Sequence, residues 1–184
     1  MMSIDDVDFD YENMSVKIVA SRNIQELKVA GVGVGPVEEG KELETKYWIA
    51  SRLVTSGLAS FHEDGLMNFD VLYKIHWKET KLQTGRVISS LPEYFYPKLR
   101  RYLSQLKEKA STDATRAIEY NNAMTLTNDV VTCRLKKIVG LSASPAQTED
   151  VLQKLSKEER ILYDTLHSTV SEWRFKILKV GASR

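Results

Sequence analysis

The spacing of apolar and polar residues changes character near residue 58. Before that point the apolar residues come in short β-type runs cut by glycines. Val16, Ile18 and Ala20 alternate along the first run, the period of two that puts every second side chain on one face of a strand. Leu27 to Val34 is a second run, broken by Gly31 and Gly33 and ended by a Gly35-Pro36 turn. Lys41 to Glu44 and Leu58 to Phe61 are two further short strand candidates. Between them Thr45 stands where an N-cap belongs, before a helix from Lys46 to about Thr55 that Gly57 closes. Trp48, Ile49 and Leu53 are the side chains this helix offers to a core, with Trp48 as its anchor.

After Phe61 the period becomes helical. Glu63 to about Gln83 carries Leu66, Phe69, Leu72, Tyr73 and Trp77, mostly three or four residues apart. Gly85 and Pro92 bracket a loop. Tyr94 to Ala110 carries Phe95, Leu99, Tyr102, Leu103 and Leu106. Pro97 fits a helix only in its first turn, so that helix starts near Tyr96. Ser111 or Thr112 is placed to cap the next, which runs towards Val139 with Ile118, Leu126, Val131, Leu135 and Ile138. Gly140 to Pro145 breaks the pattern. Ser156-Lys157-Glu158-Glu159 reads as a capping box, in which Ser and Glu exchange hydrogen bonds with each other's amides. The last helix shows Leu162, Leu166, Val170, Trp173, Ile177 and Val180 at spacings of 4, 4, 3, 4 and 3, the most regular stripe in the chain. The pattern predicts an α+β protein. A small N-terminal β-rich domain with one short helix covers 1–58, an all-α helical-bundle domain covers 59–184, and a hinge lies near 57–62.

Composition agrees with a folded chain. Of 184 residues 42% are hydrophobic and 28% charged, ordinary for a globular protein and too apolar for disorder. A single Cys excludes an internal disulfide framework and a Cys-based zinc cage. Charge is uneven: 1–58 holds 10 acidic and 6 basic residues, whereas 59–184 holds 15 and 20. The first 13 residues contain five acids and no base, which suggests a loose tail or an edge. They are acidic where a signal peptide is basic and then apolar, and no run of about 18 apolar residues follows. An intracellular protein without a membrane span is expected.

Candidate chemistry is sparse. Gly31-Val-Gly-Val-Gly35 has its third glycine one position early for a dinucleotide loop and is followed by Pro36 and several glutamates, so a turn is the better reading. His62, His76 and His167 share no metal-ligand spacing with each other or with Cys133. Glu158-Glu159 and Glu149-Asp150 fall in first helical turns, where the helix dipole favours them. No catalytic, cofactor-binding or metal-binding residue is therefore assigned, and no cofactor. Arg100-Arg101, Arg134-Lys136-Lys137 and Arg174-Lys176-Lys179 are basic clusters able to touch phosphates, though cations near helix C-termini are favoured in any case. The aromatics say more. Tyr94, Phe95 and Tyr96 are consecutive and cannot share one helix face. Helices with apolar residues on more than one face pack against a partner, which points to a subunit of an assembly; the alternative that the basic clusters leave open is a free-standing nucleic-acid-binding helical regulator. Tyr94, Tyr96, Leu99, Tyr102, Leu103, Leu166 and Trp173 are the candidate interface residues.

Two stretches carry a family resemblance. Val32-Gly33-Val34-Gly35-Pro36, then Gly40, then Leu43-Glu44-Thr45-Lys46-Tyr47-Trp48-Ile49-Ala50 resembles the N-terminal module of the second partner-of-Sld-five subunit of the GINS replication complex. Leu91-Pro92-Glu93-Tyr94-Phe95-Tyr96-Pro97-Lys98-Leu99 looks like the segment that opens a helix in the same family, and Arg134 to Lys137 and the Ser156 box follow in order. The compact length looks archaeal, where one subunit stands for the eukaryotic second and third. The resemblance implies a non-catalytic subunit of a tetramer, with a sister GINS subunit of the five/one type whose domain order is reversed. It implies that the complex bridges and activates the replicative MCM helicase together with a Cdc45 or RecJ-like protein, with primase a further candidate partner. Contact with DNA would be weak or indirect, through Arg100, Arg101, Arg134, Lys136 or Lys137. The expected location is the cytoplasm, beside the nucleoid, in an archaeon and the nucleus in a eukaryote.

Overall fold

The computed structural model describes residues 3–62, 66–81, 87–144 and 148–178. Glu63, Gln83, Gly85, Pro145, Lys179 and Val180, which the sequence pattern uses, lie outside the described residues. The chain divides into two compact units, Asp5–Leu66 and Met67–Arg184 with Met1–Ile4.

The first unit contains β1 (Ser15–Ala20), β2 (Leu27–Val29), β3 (Val32–Val34), β4 (Glu42–Lys46), α2 (Tyr47–Thr55) and β5 (Ala59–Phe61), preceded by α1 (Ile4–Asn13). The acidic N-terminus is thus a helix and not a loose tail. Asp5 and Asp6 sit in its first turn, where the macrodipole favours anions, while Val7 and Tyr11, four residues apart, are buried. The Tyr11 ring lies 4.4 Å from that of Tyr47, which also stacks on Phe61.

The main sheet is antiparallel in the order β4-β1-β5, with Ile18 opposite both Leu43 and Phe61. Its inner face and α2 enclose a core of Ile18, Ala20, Ile24, Val34, Ile49, Ala50, Leu53 and Ala59. Trp48 packs half-buried on the rim of that core, and the deeper aromatic of α2 is Tyr47. β2 and β3 form a hairpin. Ala30 and Gly31 at its tip have φ of 49° and 82°, the two positive values of a type I′ turn. A Cβ on Gly35 would stand 2.9 Å from the Gln25 carbonyl oxygen, at a φ of 82°. The glycine run therefore builds a hairpin and a close approach of two backbones.

Thr45 does not cap α2. It belongs to β4, opposite Val16, and α2 starts from Lys46 with no side-chain cap. Alternation along β4 carries Thr45 to the buried face, so its side chain is unavailable to the helix. The far end of α2 is a Schellman turn: Gly57 N–H donates to Val54 O at 3.0 Å and Leu58 N–H to Leu53 O at 2.9 Å. β5 follows at once and pairs with β1. Residues 57–62 are thus held by a helix cap and a strand ladder, which removes the hinge expected there.

In the second unit α5 (Ala114–Ser142) is the central element. α3 (Phe69–Lys81), α4 (Phe95–Ala110) and α7 (Lys157–Leu178) all pack against it, and α6 (Glu149–Leu152) is a single turn. One core joins Leu72, Ile75, Phe95, Leu99, Tyr102, Leu106, Ala123 and Val130. Another joins Ile88, Ile138, Leu141, Leu155 and Tyr163. Pro97 sits in the first turn of α4, as its missing N–H requires. The Ser156 capping box forms: Ser156 N–H donates to Glu159 Oε2 at 3.0 Å and Glu159 N–H to Ser156 Oγ at 3.3 Å.

Three details of the helical pattern differ. α3 turns Leu72, Ile75 and Glu79 inward and leaves Tyr73 and Trp77 exposed. α5 is capped by Asp113, whose carboxylate accepts from Thr115 N–H at 2.8 Å, while Ser111 and Thr112 bond back to the carbonyls ending α4. α5 also continues through Gly140, and its buried row is Ala123, Thr127, Val130, Arg134, Lys137, Ile138 and Leu141. Ile118, Val131 and Leu135 point outward instead. Among the described residues no helix is long and apolar enough to cross a membrane.

Candidate subunit interface

Two features of the helical unit stand out, a buried charge cluster and an uncovered apolar face. The cluster follows from the row that α5 buries. Arg134 and Lys137 lie three residues apart on that row and need counter-charges, because an unpaired buried cation is very costly. Glu79 of α3 and Glu159 of α7 supply them. Arg134 Nη2 donates to Glu159 Oε2 at 2.6 Å, its Nε donates to Glu159 Oε1, and its Nη1 donates to Glu79 Oε1 at 2.8 Å. Lys137 Nζ donates to Glu79 Oε2 at 2.6 Å. Arg134 Nη1 also reaches Ser89 O at 2.8 Å, Ser89 Oγ donates to Glu79, and Tyr96 OH of α4 donates to Glu159 Oε1 at 2.6 Å. Two cations and two anions cancel, and every long helix of the unit contributes a group.

The local electrostatics follow. Burial alone would raise the Glu79 carboxyl, but hydrogen bonds from Lys137 and Ser89 and the charges of Arg134 and Lys137 hold it below its ordinary value. Burial would lower Arg134, yet the hydrogen bond and charge of Glu159, with Glu79 behind, keep it above its ordinary value. Tyr96 is pushed well above the phenol range by burial and by the Glu159 charge.

Outside this cluster the bundle is unfinished. Val131, Leu135 and Val139 form an i, i+4, i+8 row on α5 with 41%, 45% and 47% exposure. On α7 the stripe read from the sequence mostly faces outward: Leu162, Trp173 and Ile177 are exposed, and Leu166 and Val170 are half-buried. α7 spends its first two turns, through Glu158, Glu159 and Tyr163, on this chain's own core. Phe175 and Leu178 add to the uncovered surface at its far end. Val131, Leu135 and Leu162 line a groove of about 290 Å³ that Tyr96 and Arg100 of α4 also border. Glu158, 8% exposed, lines it too, and its Oε1 has no hydrogen-bond partner among the described residues.

The structure redistributes the residues singled out from sequence. Leu99 and Tyr102 are buried in the core of the unit, and Tyr102 OH donates to Glu119 at 3.4 Å. Tyr96 and Leu103 are half-buried beside that core, and half-buried Tyr94 has the Lys157 ammonium over its ring. Leu166 packs on the second core and Trp173 is open. Ile49 and Leu53 are core residues of the first unit. Of the basic residues, Arg100 and Lys136 are exposed and Arg101 is half-buried. Arg134 and Lys137 are buried against carboxylates, which takes both off the basic surface. Sequence reasoning missed Glu79, whose signal was an isolated acid in step with Leu72 and Ile75.

Residues 66–178, more than half of the chain, match the family model of the GINS complex protein helical bundle domain, the Sld5 model. The match begins at Leu66, the last residue of the β-rich unit, and takes in none of that unit's strands. No curated protein matches the chain. The chain belongs to the GINS family and is a subunit type of that DNA-replication complex, with other GINS subunits as its partners.

Proposed function

We propose that this chain is a non-catalytic scaffold whose α5–α7 face docks against a sister GINS subunit, one of the five/one type with reversed domain order. The observation that carries the reading is the outward apolar stripe of α7, which begins at Leu162 beside the outward Val131 and Leu135 of α5 and continues to Trp173 and Ile177. Soluble monomers rarely leave large apolar patches uncovered, and obligate interfaces resemble a core cut in half, burying upwards of about 2,000 Å². Trp173 is the natural anchor, since aromatic side chains dominate the energy of such contacts. Assembled in this way, the tetramer bridges the MCM helicase and a Cdc45 or RecJ-like protein, and the short chain serves as the archaeal subunit of the two/three type.

The test is association of the full chain with a candidate sister subunit, followed by size-exclusion chromatography with light scattering. The double change Trp173→Ser and Ile177→Ser is expected to weaken assembly at least tenfold while helical circular dichroism persists. Undiminished complex formation at submicromolar concentration would remove the α7 stripe from the interface.

A further inference from the structure

The outer face of α3 differs in chemistry from the apolar face of α5 and α7. Tyr73 and Trp77, one turn apart, are 53% and 49% exposed. Lys74, Lys78 and Lys81 are exposed on the same face. With 3.6 residues per turn, Tyr73 and Trp77 form one row, Lys74 and Lys78 form a row beside it, and Lys81 falls between the two. The Lys81 ammonium sits 3.9 Å from the centre of the Trp77 ring. Among the described residues none of the three lysines pairs with a carboxylate. Of the acids of α3, Glu79 is inside the bundle, and Asp70 lies one turn before Lys74 without forming an ion pair with it among the described residues, while Lys78 and Lys81 stand at the far end of the helix from it. Asp129, from α5, is engaged by His76 at 3.2 Å.

Neither ring belongs to the core among the described residues, where α3 contributes Leu72 and Ile75. Flat apolar rings alongside unpaired cations match one ligand chemistry, a polyanionic backbone with accessible aromatic bases. Single-stranded nucleic acid has both, and proteins that hold it combine a basic track with aromatic platforms. A duplex keeps its bases stacked inside and offers nothing to the rings. An acidic peptide would satisfy the lysines and leave the rings unused. We propose that the outer face of α3 binds single-stranded nucleic acid, with bases stacked on Tyr73 and Trp77 and phosphates on Lys74, Lys78 and Lys81. The inference does not depend on the assembly reading, because it uses no residue of the α5–α7 face.

The experiment titrates the full chain into a labelled oligothymidine of about 16 nucleotides, long enough for one such site, and follows anisotropy. Binding is expected at about 50 mM salt and should weaken steeply towards 200 mM, as phosphate contacts release counterions. The double change Tyr73→Ala and Trp77→Ala should weaken it about tenfold or more, and Trp77→Phe should retain most of it, because a stacking surface remains. Lys74→Glu with Lys78→Glu should abolish it. Both rows are exposed, so unchanged circular dichroism is the check on folding. Absence of binding at low salt would overturn the proposal, as would wild-type affinity in the aromatic double variant. Equal competition by a duplex or by polyglutamate would assign the face to a generic polyanion contact and overturn it equally.

Discussion

Glu159 serves two helices with one carboxylate: it closes the capping box of α7 through the Ser156 amide and grips Arg134 of α5 through both of its oxygens. Glu159 Oε1 also accepts the hydroxyl of Tyr96, so three elements converge on one side chain. Such a residue cannot be replaced by another helix former. Its value lies in the geometry of its two oxygens, and its loss would leave Arg134 in the interior without its principal counter-ion.

Arg134→Ala is accordingly expected to destabilise the helical unit by about 3–5 kcal/mol, the usual cost of stranding buried charge. Denaturant unfolding of the full chain would measure it. Lys136→Ala, two residues along the same helix but exposed, should change stability by less than about 0.5 kcal/mol. Similar costs for the two substitutions would mean that the cluster contributes nothing beyond surface charge.

The Glu79 carboxyl gives the protein an acid limb. Its pKa is lowered in the fold, so the folded state binds that proton less readily than the unfolded chain does. The stabilisation is present above the unfolded value of about 4.5 and is lost as pH falls through the lower folded value. Acid titration followed by circular dichroism should show this limb in the wild type and a flatter one in Glu79→Gln. Glu79→Gln should also be less stable at neutral pH, because Lys137 loses its counter-charge.

An alkaline limb should come from Tyr102, alongside the more strongly raised Tyr96. Burial, with the charge of Glu119, pushes its phenol up to about 12. The neutral form is the one that the fold retains. Stability from this group is therefore complete below about pH 10 and declines as pH rises from there towards 12. Tyr102→Phe should flatten that limb at a small cost near neutrality, and an unchanged alkaline midpoint would assign the limb to other groups.

The hairpin tip offers a stabilising substitution. Ala30 is exposed and held at a φ of 49°, a conformation that costs an ordinary L-residue about 1 kcal/mol. Asn followed by Gly is the preferred pair for a type I′ turn. Ala30→Asn should raise the stability of the β-rich unit by about 0.5–1 kcal/mol, whereas Ala30→Val should lower it. Thermal unfolding of both variants checks the ordering.

Much of the architecture could be read from period and punctuation alone. The strands announce themselves by alternation in β1 and by glycines around β2 and β3. Ser156 and Glu159 mark the start of α7 through local chemistry, which tertiary context does not override. The failures have one physical cause, polar residues on buried faces. In α5 the buried row passes through Thr127, Arg134 and Lys137, so apolar periodicity selects the wrong face and makes the outward Val131 and Leu135 look like core. The same error made Arg134 and Lys137 look like a basic patch, since a single sequence does not show that Glu79, 55 residues away, lies opposite. In α1 five acids hid the Val7–Tyr11 pair. The apolar stripe on α7 is plain in the sequence, but which way it faces depends on packing, and the structure turns most of it outward. The same holds for Trp77, which the spacing placed inside and the structure places outside.

The neutral four-charge cluster also fixes the axial register of the bundle. Leucine and valine surfaces slide over one another with little penalty, whereas a shift of α7 along α5 by one helical turn, about 5.4 Å, would pull Glu159 out of reach of Arg134. A comparable slip of α3 would part Glu79 from Arg134 and Lys137 together. The charges thus act as an index pin inside an otherwise greasy joint. The rows that α5 and α7 turn outward inherit that alignment, so a sister subunit docking there as proposed would meet a template already set to one spacing.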